Sequence, residues 1–268
     1  MPEAKVNGIT IGYKVDGQGE PLVMIMGFSL SRRYWAPQTP TFKKHYQVIT
    51  FDNRGVGKTD KPTEPYTVKT MADDTIGLMN HVGIDRAHIL GISMGGMVAQ
   101  EIAINYPERV GKLLLASTYA GGHEMEVTSP EMLKAVGFEV GYTEDDMSRL
   151  AAGKLMESAV SLSFNSRLYR LIFVLLAKIC AIINIVGLTG QLEAVLAHNT
   201  LSRLHMIKAP TLVIAGTEDR VVAPSCSDRL ASMIPNARLV KVEGGSHALS
   251  MEMRGRFNRE VLDFLRRG

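Results

Sequence analysis

Residues 91–96 read Gly-Ile-Ser-Met-Gly-Gly. They lie between a short apolar run, Ala87 to Leu90, and a stretch whose Val98, Ile102 and Tyr106 share one helical face. The chain must therefore turn from strand into helix within the G-x-S-x-G pentapeptide. Side chains two residues before and after Ser93 would collide with neighbouring backbone, so both positions need glycine. The serine is left strained, with its hydroxyl exposed ahead of a helix N-terminus that favours negative charge. The pentapeptide alone arises by chance; the strand before it and the helix after it give it weight.

The rest of the chain alternates in the same way. Ile9 to Val15, Leu22 to Met26, Gln47 to Phe51, Val110 to Ala116, Thr211 to Ala215 and Ala237 to Val242 read as strands. Met71, Thr75, Leu78, Met79 and Val82 mark a helix, with Thr67 as N-cap and Gly83 as its stop. Ala223 to Met233 reads as another helix, and Phe257, Val261, Phe264 and Leu265 mark a closing one. Such alternation predicts an α/β fold: a mostly parallel twisted sheet, helices on both faces, right-handed crossovers. The alternation lapses over 120–200, where the composition turns helical and apolar. We expect a core built from residues 1–119 and 201–268, and a helical cap, 120–200, inserted over the carboxyl ends of the strands.

Composition narrows the function. A chain of 268 residues can bury a large core without staples. Its formal charge is only +3 and no basic run stands out, so nucleic acid is not an expected partner. The two cysteines, Cys180 and Cys226, are too few for a disulfide framework and lack metal-type spacing. Met1 to Lys5 leads into no apolar h-region, so no signal peptide is expected and a reducing cytoplasm is the default. Residues 171–188, LIFVLLAKICAIINIVGL, approach the length of a membrane span. Lys178 near the middle would be costly there, which favours a buried or pocket-lining segment over membrane contact.

A serine hydroxyl is a poor nucleophile and needs a base. Of seven histidines, His247 sits in a glycine-bearing loop, Glu243-Gly244-Gly245-Ser246-His247, between the last strand and the last helix. That puts it at the same sheet edge as Ser93, whereas His88 begins a strand at the opposite edge. The imidazole needs an acid to fix its tautomer. Asp219 follows the strand Thr211–Ala215 in a loop at that edge, with Glu218 as its nearest competitor. Ser117-Thr118-Tyr119, after the preceding strand, offers no acid. The oxyanion of an acyl-transfer intermediate needs donors. The backbone N–H of Met94 is one candidate and that of Phe28 the other, with Gly27 allowing close approach to substrate.

With these residues in view, the chain resembles the α/β-hydrolase superfamily along nearly its whole length. It looks most like the compact branch of esterases, enol-lactonases and cofactor-free haloperoxidases. The resemblance rests on Phe51-Asp52-Asn53-Arg54-Gly55-Val56-Gly57-Lys58-Thr59, Gly91 to Gly96, Pro210 to Asp219 and Gly244-Gly245-Ser246-His247. It implies the α/β-hydrolase fold and the chain order Ser, Asp, His. In this branch the loop after the third strand often begins His-Gly. Met26 stands in place of that histidine, removing a hydrogen bond that would shape the loop. The glycines of Asp52 to Gly57 look like a phosphate loop, but no Lys-Ser/Thr follows in register. The resemblance makes that segment a structural turn and Arg54 a buried brace. Members of this fold that open haloalkanes or epoxides use an aspartate nucleophile, and Ser93 argues against both.

The expected activity is hydrolysis of carboxylic esters of apolar acyl groups. The second reading is a lactonase acting on enol-lactones or N-acyl-homoserine lactones. Perhydrolysis or haloperoxidation, thioester hydrolysis and a non-catalytic small-molecule receptor rank lower. No metal or organic cofactor is implied. Trp35, Phe164, Leu168 and Ile172, with Gly27, are the expected pocket lining.

Overall fold

The computed structural model describes residues 2–121, 162–171 and 185–267. Elements are numbered along those residues. The strands are β1 (Glu3–Val6), β2 (Ile9–Asp16), β3 (Pro21–Ile25), β4 (Gln47–Phe51), β5 (Ala87–Ile92), β6 (Val110–Ala116), β7 (Thr211–Gly216) and β8 (Ala237–Val242). They form one sheet in the order β1-β2-β4-β3-β5-β6-β7-β8. β1 and β2 run antiparallel to their neighbours, and every pairing from β4 to β8 is parallel. The helices are α1 (Thr39–Phe42), α2 (Val68–His81), α3 (Met94–Asn105), α4 (Ile185–Leu196), α5 (Pro224–Met233), α6 (Leu249–Glu252) and α7 (Arg254–Arg266).

The central strands are unbroken apolar runs because both faces of a parallel sheet are covered. Their period of two sorts each run between two cores. Val23, Ile25, Ile49, Ile89, Leu113, Leu115 and Val213 face α2, α3 and α5, packing with Met71, Leu78, Val98, Ile102 and Leu230. Leu22, Met24, Val48, Leu90, Leu114, Leu212 and Ile214 face the other way, onto Trp35, Phe42, Phe257, Val261 and Leu265. Burial on this scale, at about 25 cal/mol per Å² of apolar surface, is the main force holding the strand ends in place.

Local signals set the helix ends. Thr67 caps α2 by accepting from the Thr70 N–H, and Gly83 stops it at φ +72°. The sheet also begins earlier than the alternation suggests. Asn7 and Gly8, at φ +48° and +77°, turn β1 back onto β2. An Asn-Gly pair is the strongest short hairpin signal, and here it adds an edge strand.

Trp35 departs from the expected pocket lining. It is fully enclosed in the second core, so it offers no surface to a ligand. Of the 120–200 block, the described parts are 120–121, 162–171 and 185–200; Ile172 and most of the apolar 171–188 segment lie outside them. Among the described residues no helix is long and apolar enough to cross a membrane. Arg54 is a buried brace: its Nε and a terminal nitrogen each donate to the Asp74 carboxylate at 2.8 Å.

His198 is buried behind α3, with Nε2 3.4 Å from Thr200 Oγ1. Burial pushes its pKa down to about 4, against a smaller upward pull from Glu101. In the unfolded chain it titrates near 6.5. Its neutral form therefore supports the fold fully above about pH 6.5, and that support is lost as pH falls toward about 4. Urea midpoints measured between pH 7 and pH 4.5 should fall, and His198→Gln should remove roughly 2–3 kcal/mol of that decline. An identical decline in the variant would contradict the assignment.

Candidate active site

The turn after β5 is as crowded as its glycines demand. A Cβ on Gly91 would lie 2.1 Å from the Gly95 carbonyl oxygen, and one on Gly95 2.2 Å from that of Ile25. Ser93, between them, has φ +54° and ψ −122°. Such a conformation costs of order 1–3 kcal/mol and persists only where surroundings over-determine it. Here the Ser93 N–H donates to the Ala116 carbonyl at 2.9 Å. The Ser93 carbonyl accepts from Thr118 Oγ1 at 2.8 Å and from the Gly96 N–H at 2.8 Å.

The loops after β7 and β8 bring the other two groups to that edge. His247 Nε2 lies 3.2 Å from Ser93 Oγ, and Nδ1 lies 2.8 Å from Asp219 Oδ2. The second carboxylate oxygen, Oδ1, accepts from the N–H groups of Val221 and Val222 at 2.9 and 2.8 Å. An ionised Asp219 can only accept, so the imidazole proton sits on Nδ1 and Nε2 is left to accept from Ser93. Glu218, the competing acid, is exposed and accepts instead from Asn165 Nδ2 at 2.9 Å. His88 lies at the far edge, paired in register with Leu22, where burial pushes its pKa down.

The two loops are stitched to each other. The Glu218 N–H donates to the Gly245 carbonyl, and the Gly244 N–H donates to Thr217 Oγ1, both at 2.9 Å. A Cβ on Gly216 would sit 2.0 Å from that same Gly245 oxygen. Glu252, which the sequence reading passed over, ties in the described part of the 120–200 block. Its carboxylate accepts from Ser246 Oγ and from the N–H groups of Asn165 and Ser166. The Ala248 N–H reaches the Ser163 carbonyl at 2.9 Å.

Gly27 lies against Ser93: a Cβ there would be 3.2 Å from Ser93 Cβ and 3.8 Å from Oγ. The next N–H, that of Phe28, enters no backbone–backbone bond among the described residues. Met94 is the first residue of α3, where an N–H has no partner within the helix. The two donors thus flank the serine on separate elements. With Met26 in place of the expected histidine, the loop is held from outside. Asn53 Nδ2 donates to the Met26 carbonyl at 2.8 Å, another contact that the sequence reading did not single out.

Of the remaining residues expected to line a pocket, Phe164 is buried, and its carbonyl accepts from the Arg170 guanidinium at 3.1 Å. Leu168 is 66 % exposed, so it does not line a closed cavity among the described residues. A cleft beside Asp219, about 580 Å³, has Asn165, Arg170, Thr217, Glu218 and Arg220 in its walls among the described residues.

The sheet order, the strained serine and the hydrogen-bonded histidine and aspartate define a class of protein. The chain belongs to the alpha/beta hydrolase fold family, whose profile matches residues 20–253. A relative from Caulobacter segnis, named "Putative carbamate hydrolase RutD", is 30% identical over 283 residues, covering 99% of both chains. The enol-lactonase of Burkholderia xenovorans LB400 superposes with a TM-score of 0.84 at 28% identity, over 99% of this chain and 100% of that one. Est816, described as an N-acyl homoserine lactone degrading enzyme, also gives 0.84, at 29% identity over 98% and 100% of the chains.

The crowding at the elbow has a direct consequence for stability. Gly95→Ala should cost about 3 kcal/mol in chemical denaturation, because backbone rather than a side-chain tip must yield. Gly255→Ala, in α7 with nothing within 4 Å of its new Cβ, should be neutral or stabilising by up to about 1 kcal/mol. Equal effects at the two sites would contradict the packing described.

Proposed function

We propose that this chain is a serine hydrolase that cleaves carboxylic ester bonds, lactones included, through an acyl-enzyme on Ser93. The observation that supports it best is the continuous relay Asp219–His247–Ser93, with contacts of 2.8 and 3.2 Å at the edge of the sheet. As His247 Nε2 takes the hydroxyl proton, Ser93 Oγ attacks the carbonyl carbon. The N–H groups of Phe28 and Met94 hold the oxyanion. Collapse breaks the bond to the alkoxy group, which takes the proton from His247 and leaves as an alcohol. Water then attacks the acyl ester with His247 again as base, releasing the acid and restoring Ser93. Asp219 keeps the imidazole in the productive tautomer and stabilises its cation.

Residues 120–200 form the cap in this proposal, and Phe164 with Ile172 and its apolar neighbours gives the pocket its preference for apolar acyl groups. The lactone reading is supported by the likeness to the Burkholderia enol-lactonase and to Est816. In a lactone the leaving alcohol stays tethered to the acyl group, so the site must keep room for both ends until water arrives. Carbamate cleavage, the activity in the Caulobacter relative's name, would use the same oxyanion chemistry.

A panel of p-nitrophenyl esters, acyl lactones and carbamates of graded length tests the proposal. Turnover of at least one ester or lactone is expected, and Ser93→Ala should lower kcat by about 10⁴-fold or more. Turnover that survives in Ser93→Ala, or binding without turnover across the panel, would overturn it.

A further inference from the structure

Gln191 lies on α4, the helix by which the chain returns from the 120–200 block, and it is completely buried. Both ends of its amide are used. Oε1 accepts from the Ser29 N–H at 2.7 Å, and Nε2 donates to the Arg54 carbonyl at 2.8 Å. The second contact fixes which end of the amide faces Ser29, since a carbonyl can only accept.

Ser29 is an unusual residue to hold in this way. Its φ is +64°, in the left-handed region that serine seldom occupies. It is the third residue of a turn closed by the Leu30 N–H on the Gly27 carbonyl at 3.3 Å. A positive φ at that position ordinarily calls for glycine or asparagine. The hydrogen bond from Gln191 falls on the peptide joining Phe28 to Ser29, whose rotation would let Ser29 relax to a negative φ. That peptide directly follows the Phe28 N–H, and the turn begins at Gly27, which lies against Ser93.

We infer that Gln191 is a positioning residue: by pinning the Ser29 N–H it holds the Gly27–Leu30 turn in the one conformation that aims Phe28 N–H at the oxyanion. This rests on the assignment of Ser93 and Phe28 to catalysis. Gln191 itself touches no reacting atom. Its helix is independently docked, because Tyr66 Oη donates to the Gly187 carbonyl at 3.0 Å. The end of α4 is thereby fixed relative to the turn that it supports.

The test uses the full chain and an ester substrate that the wild type turns over. Gln191→Met keeps the side chain's length and removes both hydrogen bonds. Its kcat should fall roughly ten- to a hundredfold, with KM within about threefold, because the lost interaction acts in the transition state. Affinity for a boronic acid, which forms a tetrahedral adduct on the serine, should fall by a similar factor. Adding Ser29→Gly, which takes a positive φ without penalty, should restore a substantial part of kcat. A wild-type kcat in Gln191→Met, or a loss that Ser29→Gly leaves unchanged, would overturn the inference. If Gln191→Met does not fold, Gln191→Asn, too short to span Ser29 and Arg54, is read by the same criteria. Failure of the underlying assignment is separable: it would appear as activity retained in Ser93→Ala, whatever the Gln191 variants do.

Discussion

The carbonyl of Ile25 occupies the space that a side chain at position 95 would need. That contact between β3 and the first turn of α3 is the constraint on which the site depends. It forces the chain through Ser93 in a left-handed conformation and presents the hydroxyl above the sheet edge. The same closeness brings Gly27, two residues beyond Ile25, against the serine's Cβ. Ser93 and the Gly27–Leu30 turn are thus set by one backbone approach, and glycine is required at position 95 because a side chain there would push the first turn of α3 away from β3.

A strained residue needs a rigid frame, and the two apolar cores supply it. Neighbouring parallel strands place the ends of β5, β7 and β8 at one edge, so loops distant in sequence meet there. Short hydrogen bonds then fix the loops to one another, Glu218 to Gly245 and Gly244 to Thr217, while Asp219 braces its own loop by accepting from Val221 and Val222. Each satisfies a backbone N–H of the loop. The result is an imidazole held between a carboxylate and a hydroxyl. The 120–200 block is tied into this frame: Glu252 links segment 162–171 to the histidine loop, and Gln191 links α4 to the Gly27–Leu30 turn.

Much of this was legible in the residues. The alternation of strands and helices announced the layered sheet, and the loop positions of Ser93, Asp219 and His247 put them at one edge before any coordinates. What escaped had physical reasons. β1 is short and partly exposed, so its apolar pattern is faint, although Asn7-Gly8 marks the turn. Trp35 was misjudged because an aromatic shortly after the Gly27–Leu30 turn reads the same whether it faces ligand or core; the second core, assembled from β3 to β8 and α7, decides it. Asn53, Gln191 and Glu252 carry no local signature. Partners of each lie in other segments, Gln191 standing 162 positions after Ser29 and Glu252 87 after Asn165, and only the folded chain reveals them.

One serine in this chain, strained and paired to an imidazole, should be chemically unlike the rest. Reaction with a fluorophosphonate, followed by peptide mass spectrometry, distinguishes it. One adduct per chain is expected, on the peptide carrying Ser93, forming far more slowly in His247→Ala. An adduct on a different serine, or labelling at Ser93 that is indifferent to His247, would contradict it.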